Sequence, residues 1–332
     1  MNKKVHIMLI LLMLMPLMIN AEDKLIKSIK RAGLKAIPTD KKALLRLIDP
    51  KKVITPERVA LGKQLFFDTR LSKDKTISCA SCHDLTKGGA DGLSVAIGIK
   101  GQENPHHLNS PTVYNSALFK RQFWDGRSPD LEDQAMGPML APFEMGMTPK
   151  LAEDRIKAVP AYVKAFKKAY GNDVKITFKK IASTIAIFER TLVTPSRFDD
   201  YLNGKKDALT KGEKKGLSIF IDRGCINCHT GVAIGGSMQP FAIADEFKFQ
   251  DVGDFKGNEH GLVKVPSLRN VTLNSPYFHN GTVVELKDAI KEMSRIQLSV
   301  TEIDDAEVDD LIIFFKSLEG RKPDITLPKI PK

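Results

Sequence analysis

The sequence of 332 residues lacks several features that define whole classes of protein. Beyond the first twenty positions, charged residues, Pro or Gly interrupt every apolar run well before the roughly 18 residues that a membrane span needs. This pattern excludes a polytopic membrane protein. With 42% hydrophobic and 27% charged residues, the chain is neither disordered nor collagen-like. It is a globular chain, long enough for two domains of roughly 150 residues each.

The N-terminus has the composition of an export signal. Lys3 and Lys4 give a basic start, residues 7–19 form an apolar run, and Ala21 is a small residue suited to cleavage. We interpret residues 1–21 as a secretory signal peptide that directs the protein to the periplasm, with an uncleaved membrane anchor as the alternative. Cleavage would remove two lysines and no acids, so the formal net charge would fall from +11 to +9 (49 minus 40). A basic exported protein favours acidic partners, and its location argues against nucleic acid.

Cysteine is scarce, and all four cysteines lie in two pentapeptides: Cys79-Ala80-Ser81-Cys82-His83 and Cys225-Ile226-Asn227-Cys228-His229. Cys-x-x-Cys-His is the attachment signature of c-type haem, in which two thiols form thioethers with the porphyrin and the His ligates iron. The alternatives are two redox disulfides or one zinc site that uses every cysteine. Zinc needs no His after each pair, and a thioredoxin-like motif would open a helix in a βαβ unit, for which strand signals are missing. We therefore predict two covalently bound c-type haems.

A weak internal repeat precedes the two pentapeptides. Residues 62–68 and 216–222 both read Gly-x-x-x-Phe-apolar-Asp. Each copy lies on a predicted helix with a start signal, Thr55-Pro56 in the first and Thr210 with Glu213 in the second. Apolar residues at helical spacing predict a closing helix for each unit near 181–192 and 311–318. The resulting fold class is mainly α, with two cytochrome c-like domains that each carry one haem.

The predicted boundaries follow from this repeat. The N-terminal haem domain covers residues 22–194, the C-terminal haem domain covers residues 195–320, and residues 321–332, which include three prolines, form a tail. Further helices are predicted at 149–158 and 160–170, the second between Pro160 and Gly171. Six methionines remain beyond residue 21, too many to choose a haem ligand by composition: Met136, Met139, Met145, Met147, Met238 and Met293.

Several further motifs resemble those of the bacterial dihaem cytochrome c peroxidases. The resemblance covers about residues 43–318, with the motifs in the expected order. The motifs are Gly88-Gly89-Ala90-Asp91-Gly92, Asn109-Ser110-Pro111-Thr112-Val113-Tyr114-Asn115, Gln122-Phe123-Trp124-Asp125-Gly126-Arg127, Leu131-Glu132-Asp133-Gln134-Ala135, Pro142-Phe143-Glu144-Met145-Gly146, Val265-Pro266-Ser267-Leu268-Arg269-Asn270 and Pro276-Tyr277-Phe278-His279-Asn280-Gly281. Such a set is far more specific than two haem motifs alone.

The resemblance implies a division of labour between the two haems. The haem held by Cys79, Cys82 and His83 would be the low-potential site where hydrogen peroxide reacts. The haem held by Cys225, Cys228 and His229 would receive electrons from a small cytochrome c or cupredoxin, with Met293 as its axial ligand. On spacing alone, the favoured interpretation of Met293 is a core residue of a helix that starts near Val284.

The resemblance also assigns roles to three polar or aromatic residues. Glu144 matches the distal acid, which takes a proton from one peroxide oxygen and delivers it to the other, and Gln134 matches its hydrogen-bonding neighbour. Trp124, the only tryptophan, would lie between the two haems. A solvated loop acid is the alternative for Glu144, and a buried core ring is compatible with the role of Trp124.

A calcium site is implied by the same resemblance. Asn109, together with backbone carbonyls near Asn274 and Pro276, matches the interdomain site, and oxygen-only coordination suits Ca²⁺. The family usually has Thr where Asn274 stands, a change that a backbone ligand tolerates.

One departure from the family concerns access to the first haem. Many members have a His after Ile-Gly in the loop that follows the first haem motif, where it blocks the iron until the other haem is reduced. Here Ile99 follows Ile97-Gly98 and cannot ligate iron. His106 or His107 could substitute; otherwise the first haem is open in the oxidised protein.

The sequence therefore predicts a periplasmic cytochrome c peroxidase that reduces hydrogen peroxide to water. Two alternatives remain: a dihaem electron carrier without chemistry of its own, and a dihaem enzyme that oxidises tryptophans of a partner protein. The second class carries Tyr where Met293 stands, and a carrier has no need of Glu144 and Gln134. The sequence allows a homodimer without fixing the oligomeric state.

Overall fold

The computed structural model describes residues 22–48, 53–298, 303–323 and 325–332. The predicted signal peptide lies outside these residues. As predicted, the described chain is mainly helical; its strands are one short antiparallel pair, β1 (Met238–Pro240) and β2 (Leu262–Lys264). Within the same ranges, no helix combines the length and the apolar character that crossing a membrane requires.

The helices fall into two sets along the chain. The first set consists of α1 (22–31), α2 (Lys41–Ile48), α3 (Pro56–Phe66), α4 (Cys79–Cys82), α5 (Leu131–Leu140), α6 (Pro149–Lys157), α7 (Pro160–Tyr170) and α8 (Phe178–Glu189). The second consists of α9 (Arg197–Leu202), α10 (Lys211–Asp222), α11 (Leu286–Gln297) and α12 (Asp305–Lys316). The helices predicted at 149–158 and 160–170 are confirmed as α6 and α7.

The helices begin where the sequence carries start signals. Thr55 directly precedes Pro56, the first residue of α3, and its side chain accepts a hydrogen bond from the backbone N–H of Arg58. Thr210 and Glu213 form a reciprocal capping box at the start of α10. These local interactions fix the entry of α3 and α10, the two helices that lead into the haem motifs.

The internal repeat has a clear packing role. Gly62 on α3 faces α8, and Gly216 on α10 faces α12; a Cβ at either position would overlap the backbone carbonyl of Thr184 or Asp310, respectively. The phenylalanine four residues after each glycine packs against the same closing helix, with Phe66–Phe188 and Phe220–Phe314 ring centroids 5.3 and 5.5 Å apart. The two units therefore use one device: a glycine that lets two helices approach closely and an aromatic pair that fills the adjacent space.

Two main hydrophobic cores result. The first draws its buried residues from 61–192 and the second from 198–318 together with Ile29 and Leu34. The sequence placed residues 22–194 in the N-terminal unit, but Ile29 and Leu34 at the start of this range pack on the second core. The N–H of Ile37 also donates to Oδ1 of Asp199 (2.7 Å). Burial of Ile29 and Leu34 explains the difference. The boundary at residue 194 stays a prediction.

The chain end returns to the first unit. Ile325 packs against the first core, and Gln64 donates through Nε2 to the carbonyl of Lys329 (3.0 Å). Arg70 donates to the carbonyl of Pro331. Residues 325–332 of the predicted tail therefore contact the N-terminal unit.

Candidate haem sites and active site

One continuous cavity of about 740 Å³ receives side chains from both pentapeptides. It runs between the two units, so residues from distant parts of the sequence line it together. The predicted site residues among its lining are Cys79, Cys82, His83, Asn109, Trp124, Gln134, Glu144, Cys225, Cys228, His229, Asn274, Pro276 and Met293. The structure thus brings every predicted site residue to a single cavity.

The first Cys-x-x-Cys-His motif is held by a single helical turn. Ser78 caps α4 in a reciprocal box with Ser81, so that Cys79 and Cys82 stand at the two ends of the turn and His83 follows it. Burial raises the pKa of the Cys79 thiol and raises that of Cys82 to about 12. Burial also lowers the pKa of His83, which keeps its imidazole neutral and able to bind a metal.

The second motif forms a 3-10 turn over Cys225–Asn227, entered through Gly224 at φ 83°. His229 is 8% exposed, and burial lowers its pKa to about 4. Its Nδ1 lies 3.4 Å from the Ile234 carbonyl. A backbone acceptor behind a ligand histidine fixes the ring and leaves the other nitrogen free for a metal.

The donor sets fit two c-type haems. Each motif presents two free thiols and one neutral histidine to the same cavity, as thioether attachment and iron ligation require. The buried Nδ1 of His83 has no hydrogen-bond partner in the part of the chain that the structure describes. In that part, no three His, Cys, Asp or Glu side chains converge on a common metal position, so the four cysteines do not build one zinc site.

Glu144 lies beside the first motif, in the turn that follows α5. Its backbone carbonyl accepts a hydrogen bond from the N–H of Ile99 (2.8 Å), and its Oε1 is 3.5 Å from the Nδ2 of Asn104. Gly98 permits this close approach, since a Cβ there would overlap the carbonyl of Phe143. Burial raises the pKa of Glu144, against a smaller opposing effect of Arg127. This is the condition under which a carboxyl group can both take and return a proton near neutral pH.

Gln134 and Trp124 line the same cavity from neighbouring elements. Gln134 is half-buried on α5. Trp124 donates through Nε1 to the Asn109 carbonyl (3.0 Å), and its own carbonyl accepts from the Lys264 N–H (2.7 Å). Bonds from both units therefore fix the position of the only tryptophan.

Ile99 points away from the cavity. It is 5% exposed and packs next to Gly146, whereas its neighbours Ile97 and Gly98 line the cavity. His106 lines the cavity near Phe143, and its Nδ1 lies 2.9 Å from Asp254 of the second unit. Its neighbour His107 does not contribute to this lining. Of the two histidines that could replace the missing haem ligand, only His106 therefore lines the cavity. Its contact with Asp254 keeps its side chain at the edge of the cavity.

Comparison with known proteins identifies the family. A sequence model of the di-haem cytochrome c peroxidases matches residues 56–207. Cytochrome c551 peroxidase of Nitrosomonas europaea is 44% identical over 295 residues, which cover 86% of this chain and 87% of that protein. The enzyme of the same name from Pseudomonas aeruginosa is 41% identical over 290 residues, covering 84% and 83% of the two chains. The chain belongs to the di-haem cytochrome c peroxidase family.

A solved structure agrees with this membership. A MauG-like protein associated with microbial copper homeostasis matches with a TM-score of 0.70 and 26% identity, covering 83% of this chain and 94% of that chain. The predictions of two haems, of a mainly α dihaem fold and of a cytochrome c peroxidase are confirmed at the level of the family. The roles of individual residues stay predictions.

Two residues of the peroxidase cavity carried no sequence signal. One is Lys264, at the end of β2; the other is Glu189, at the end of α8. Glu189 is 4% exposed, its Oε2 has no hydrogen-bond partner among the described residues, and it lies close enough to Cys79 to raise the pKa of that thiol. Burial raises the pKa of Glu189 to about 8; Arg190 opposes this shift and Glu132 adds to it. The raised pKa favours the protonated form of Glu189 in the folded protein.

We expect this acid to make the peroxidase less stable as pH rises. Between the ordinary pKa of 4.5 and about 8, the folded protein binds a proton at Glu189 that the unfolded chain has lost, so stability falls across this window. At about 1.4 kcal/mol per pH unit, the loss amounts to a few kcal/mol. E189Q should remove it and unfold at higher denaturant than the wild type at pH 9, while differing little at pH 5.

Guanidinium unfolding of the haem-loaded proteins at pH 5, 7 and 9 measures this effect. E259Q, which removes an exposed carboxylate, provides the control and should follow the wild type. An unchanged pH dependence in E189Q would show that Glu189 is ionised in the folded protein.

Proposed function

We propose that this protein is a periplasmic peroxidase that reduces hydrogen peroxide to water with electrons from a small cytochrome c or cupredoxin. The observation that supports this proposal most directly is the position of Glu144. Its carboxyl group has a raised pKa and lines the cavity that receives both Cys-x-x-Cys-His motifs. Membership of the di-haem cytochrome c peroxidase family supports the same reading. After cleavage of residues 1–21, the formal net charge of +9 favours a donor with an acidic docking face.

Cys79, Cys82 and His83 would hold the haem that supplies the redox chemistry at the peroxide when it is bound. Glu144 takes a proton from one oxygen of hydrogen peroxide and delivers it to the other, which leaves as water when the O–O bond breaks. The remaining oxygen takes up two electrons from the donor and two protons and leaves as a second water. Asn104, with its amide 3.5 Å from Oε1, orients the carboxyl group. Gln134 donates a hydrogen bond to the bound substrate from α5.

Electrons enter at the second unit. Met293 on α11 lines the cavity together with His229. Its sulfur would bind the iron of a haem held there and would raise the potential of that haem. Trp124, bonded to Asn109 in the first unit and to Lys264 in the second, would shorten the gap that electrons must cross. A Met at position 293 argues against the tryptophan-oxidising class, which has Tyr at this place.

The first haem is accessible in the fully oxidised enzyme. Ile99 has no donor atom and packs away from the cavity. His106, the nearest alternative ligand, is paired with Asp254 at 2.9 Å. The residues near the first motif thus favour an enzyme that needs no ligand to leave before peroxide binds.

Steady-state turnover tests the proposed function. The haem-loaded protein is mixed with peroxide and a reduced small cytochrome c, and in parallel with a reduced cupredoxin. A peroxidase oxidises two one-electron donors per peroxide consumed. Donor oxidation that peroxide does not accelerate would favour the electron carrier. Export is tested by N-terminal sequencing of the mature protein from a periplasmic fraction, with Glu22 expected first.

Calcium binding at Asn109, Asn274 and Pro276 belongs to the same proposal. All three residues line the cavity, and the buried Oδ1 of Asn274 has no hydrogen-bond partner among the described residues. Calcium at a hundred times its Kd should stabilise the folded protein by about 2.7 kcal/mol. Thermal unfolding in calcium, in magnesium and after chelation measures this effect, and N109A should abolish it. The same Tm in calcium and in chelator would contradict the site.

A further inference from the structure

A buried lysine lies between the two halves of the cavity. Lys264, the last residue of β2, is 5% exposed and lines the cavity. Its N–H donates to the carbonyl of Trp124 (2.7 Å), which ties it to the first unit. The next residue, Val265, donates to the carbonyl of Ser237 (2.8 Å), and the hydroxyl of Ser237 is 3.5 Å from the carbonyl of Cys228. Lys264 is thus fixed between the tryptophan and the second haem motif.

Few groups of the protein stabilise the buried positive charge of the Lys264 ammonium group. Its Nζ lies 4.5 Å from the centre of the Phe119 ring, but one cation–π contact is weaker than the cost of removing an ammonium ion from water. Asp125, the acid whose charge acts on Lys264, is already bound by both oxygens to Arg127 at 2.9 and 3.0 Å. None of the ion pairs within 4.0 Å in the described ranges includes Lys264.

The uncompensated burial has an electrostatic consequence. It lowers the pKa of Lys264 to about 8, against a smaller opposing effect of Asp125. A lysine in this position therefore calls for an anion from outside the polypeptide, because an opposite charge a few ångströms away restores the charged form.

The cofactor of the family carries such an anion. Each c-type haem has two propionate carboxylates, and the two haem motifs open onto the cavity that Lys264 lines. We propose that Lys264 binds a propionate carboxylate of one of the two haems and so keeps a positive charge in the gap between them, beside Trp124. Lys264 is then a positioning residue for that haem and for the path of the electron.

Its charge should also set the potential of the haem that it binds. Reduction adds an electron to the haem, and a nearby cation in a site of low dielectric constant stabilises that added charge. Removal of the cation should therefore make the bound haem harder to reduce, while the other haem, farther from Lys264, changes less.

Spectroelectrochemical titration of the purified dihaem protein tests this proposal. K264M replaces the ammonium with a neutral chain of similar length, and K264R retains the charge. K120M removes an exposed lysine next to Phe119 and serves as the control. In K264M we expect at least a tenfold fall in the reduction equilibrium constant of one haem, about 59 mV for a one-electron couple. K264R and K120M should stay close to the wild type.

Unchanged potentials for both haems in K264M with full haem content would overturn the proposal. Should K264M be recovered without haem, resonance Raman spectra of K264R and wild type decide the question, because the propionate bending frequency responds to the group bound to the carboxylate. A shifted frequency in K264R would support the contact. An identical spectrum would refute it.

Discussion

Replacing Glu144 with glutamine should lower the rate of peroxide reduction by about 10²–10⁴-fold, the usual contribution of a positioned acid–base group. Glutamine keeps the shape of the side chain and removes the group that moves the proton. Glu144 acts first as a base, so activity of the wild type should fall as pH drops through its pKa. Burial raises the pKa of Glu144, so this loss of activity at low pH should begin at a pH above the usual pKa range of a glutamate.

The measurement for E144Q is peroxide turnover as a function of pH, together with the haem spectrum. Both haems should remain bound, because Glu144 belongs to neither Cys-x-x-Cys-His motif. E103Q provides a matched control, since Glu103 is exposed and lies opposite Ile97, in the loop whose Ile99 N–H donates to the backbone carbonyl of Glu144. Wild-type turnover in E144Q would remove this residue from the mechanism.

Replacing Met293 with leucine should lower the potential of the C-terminal haem by on the order of 0.1 V, a fraction of the roughly 0.8 V that axial ligands span. Leucine fills a similar volume but has no sulfur to bind iron. Met293 is half-buried on α11 and lines the cavity with His229, so its loss should act on the second haem alone. Electron entry from the donor should slow, while reaction of a pre-reduced enzyme with its first peroxide should be nearly unchanged.

Redox titration followed by visible spectra measures the Met293 effect for each haem separately. M136L is the control, because Met136 packs in the first core and is not part of the cavity lining. If M293L keeps the wild-type potentials, another residue ligates the second haem and Met293 belongs to the core.

Local signals in the sequence predicted much of this fold. Thr55, Thr210 and Pro160 mark helix starts through side-chain or ring geometry that depends only on neighbouring residues. The repeated glycine and phenylalanine of the two units were visible as a pattern, and the structure supplies the reason for it: each glycine admits a carbonyl of the closing helix.

What the sequence could not predict depends on contacts between distant segments. Residues 22–37 pack on the second core because apolar Ile29 and Leu34 find space there, and no local pattern indicates this choice. Lys264 and Glu189 read as ordinary charged positions, yet both line the cavity and are buried. The direction of Ile99, away from the cavity, likewise depends on the tight turn around Gly98 and Gly146.

Rapid mixing with hydrogen peroxide tests the central claim most directly. The haem-loaded protein is mixed with peroxide and reduced donor, once from the fully oxidised state and once after one-electron reduction. An open first haem with Glu144 beside it predicts turnover from both states without a lag. Turnover only after reduction would mean that a ligand must leave, with His106 the nearest candidate, and no turnover from either state would contradict the peroxidase.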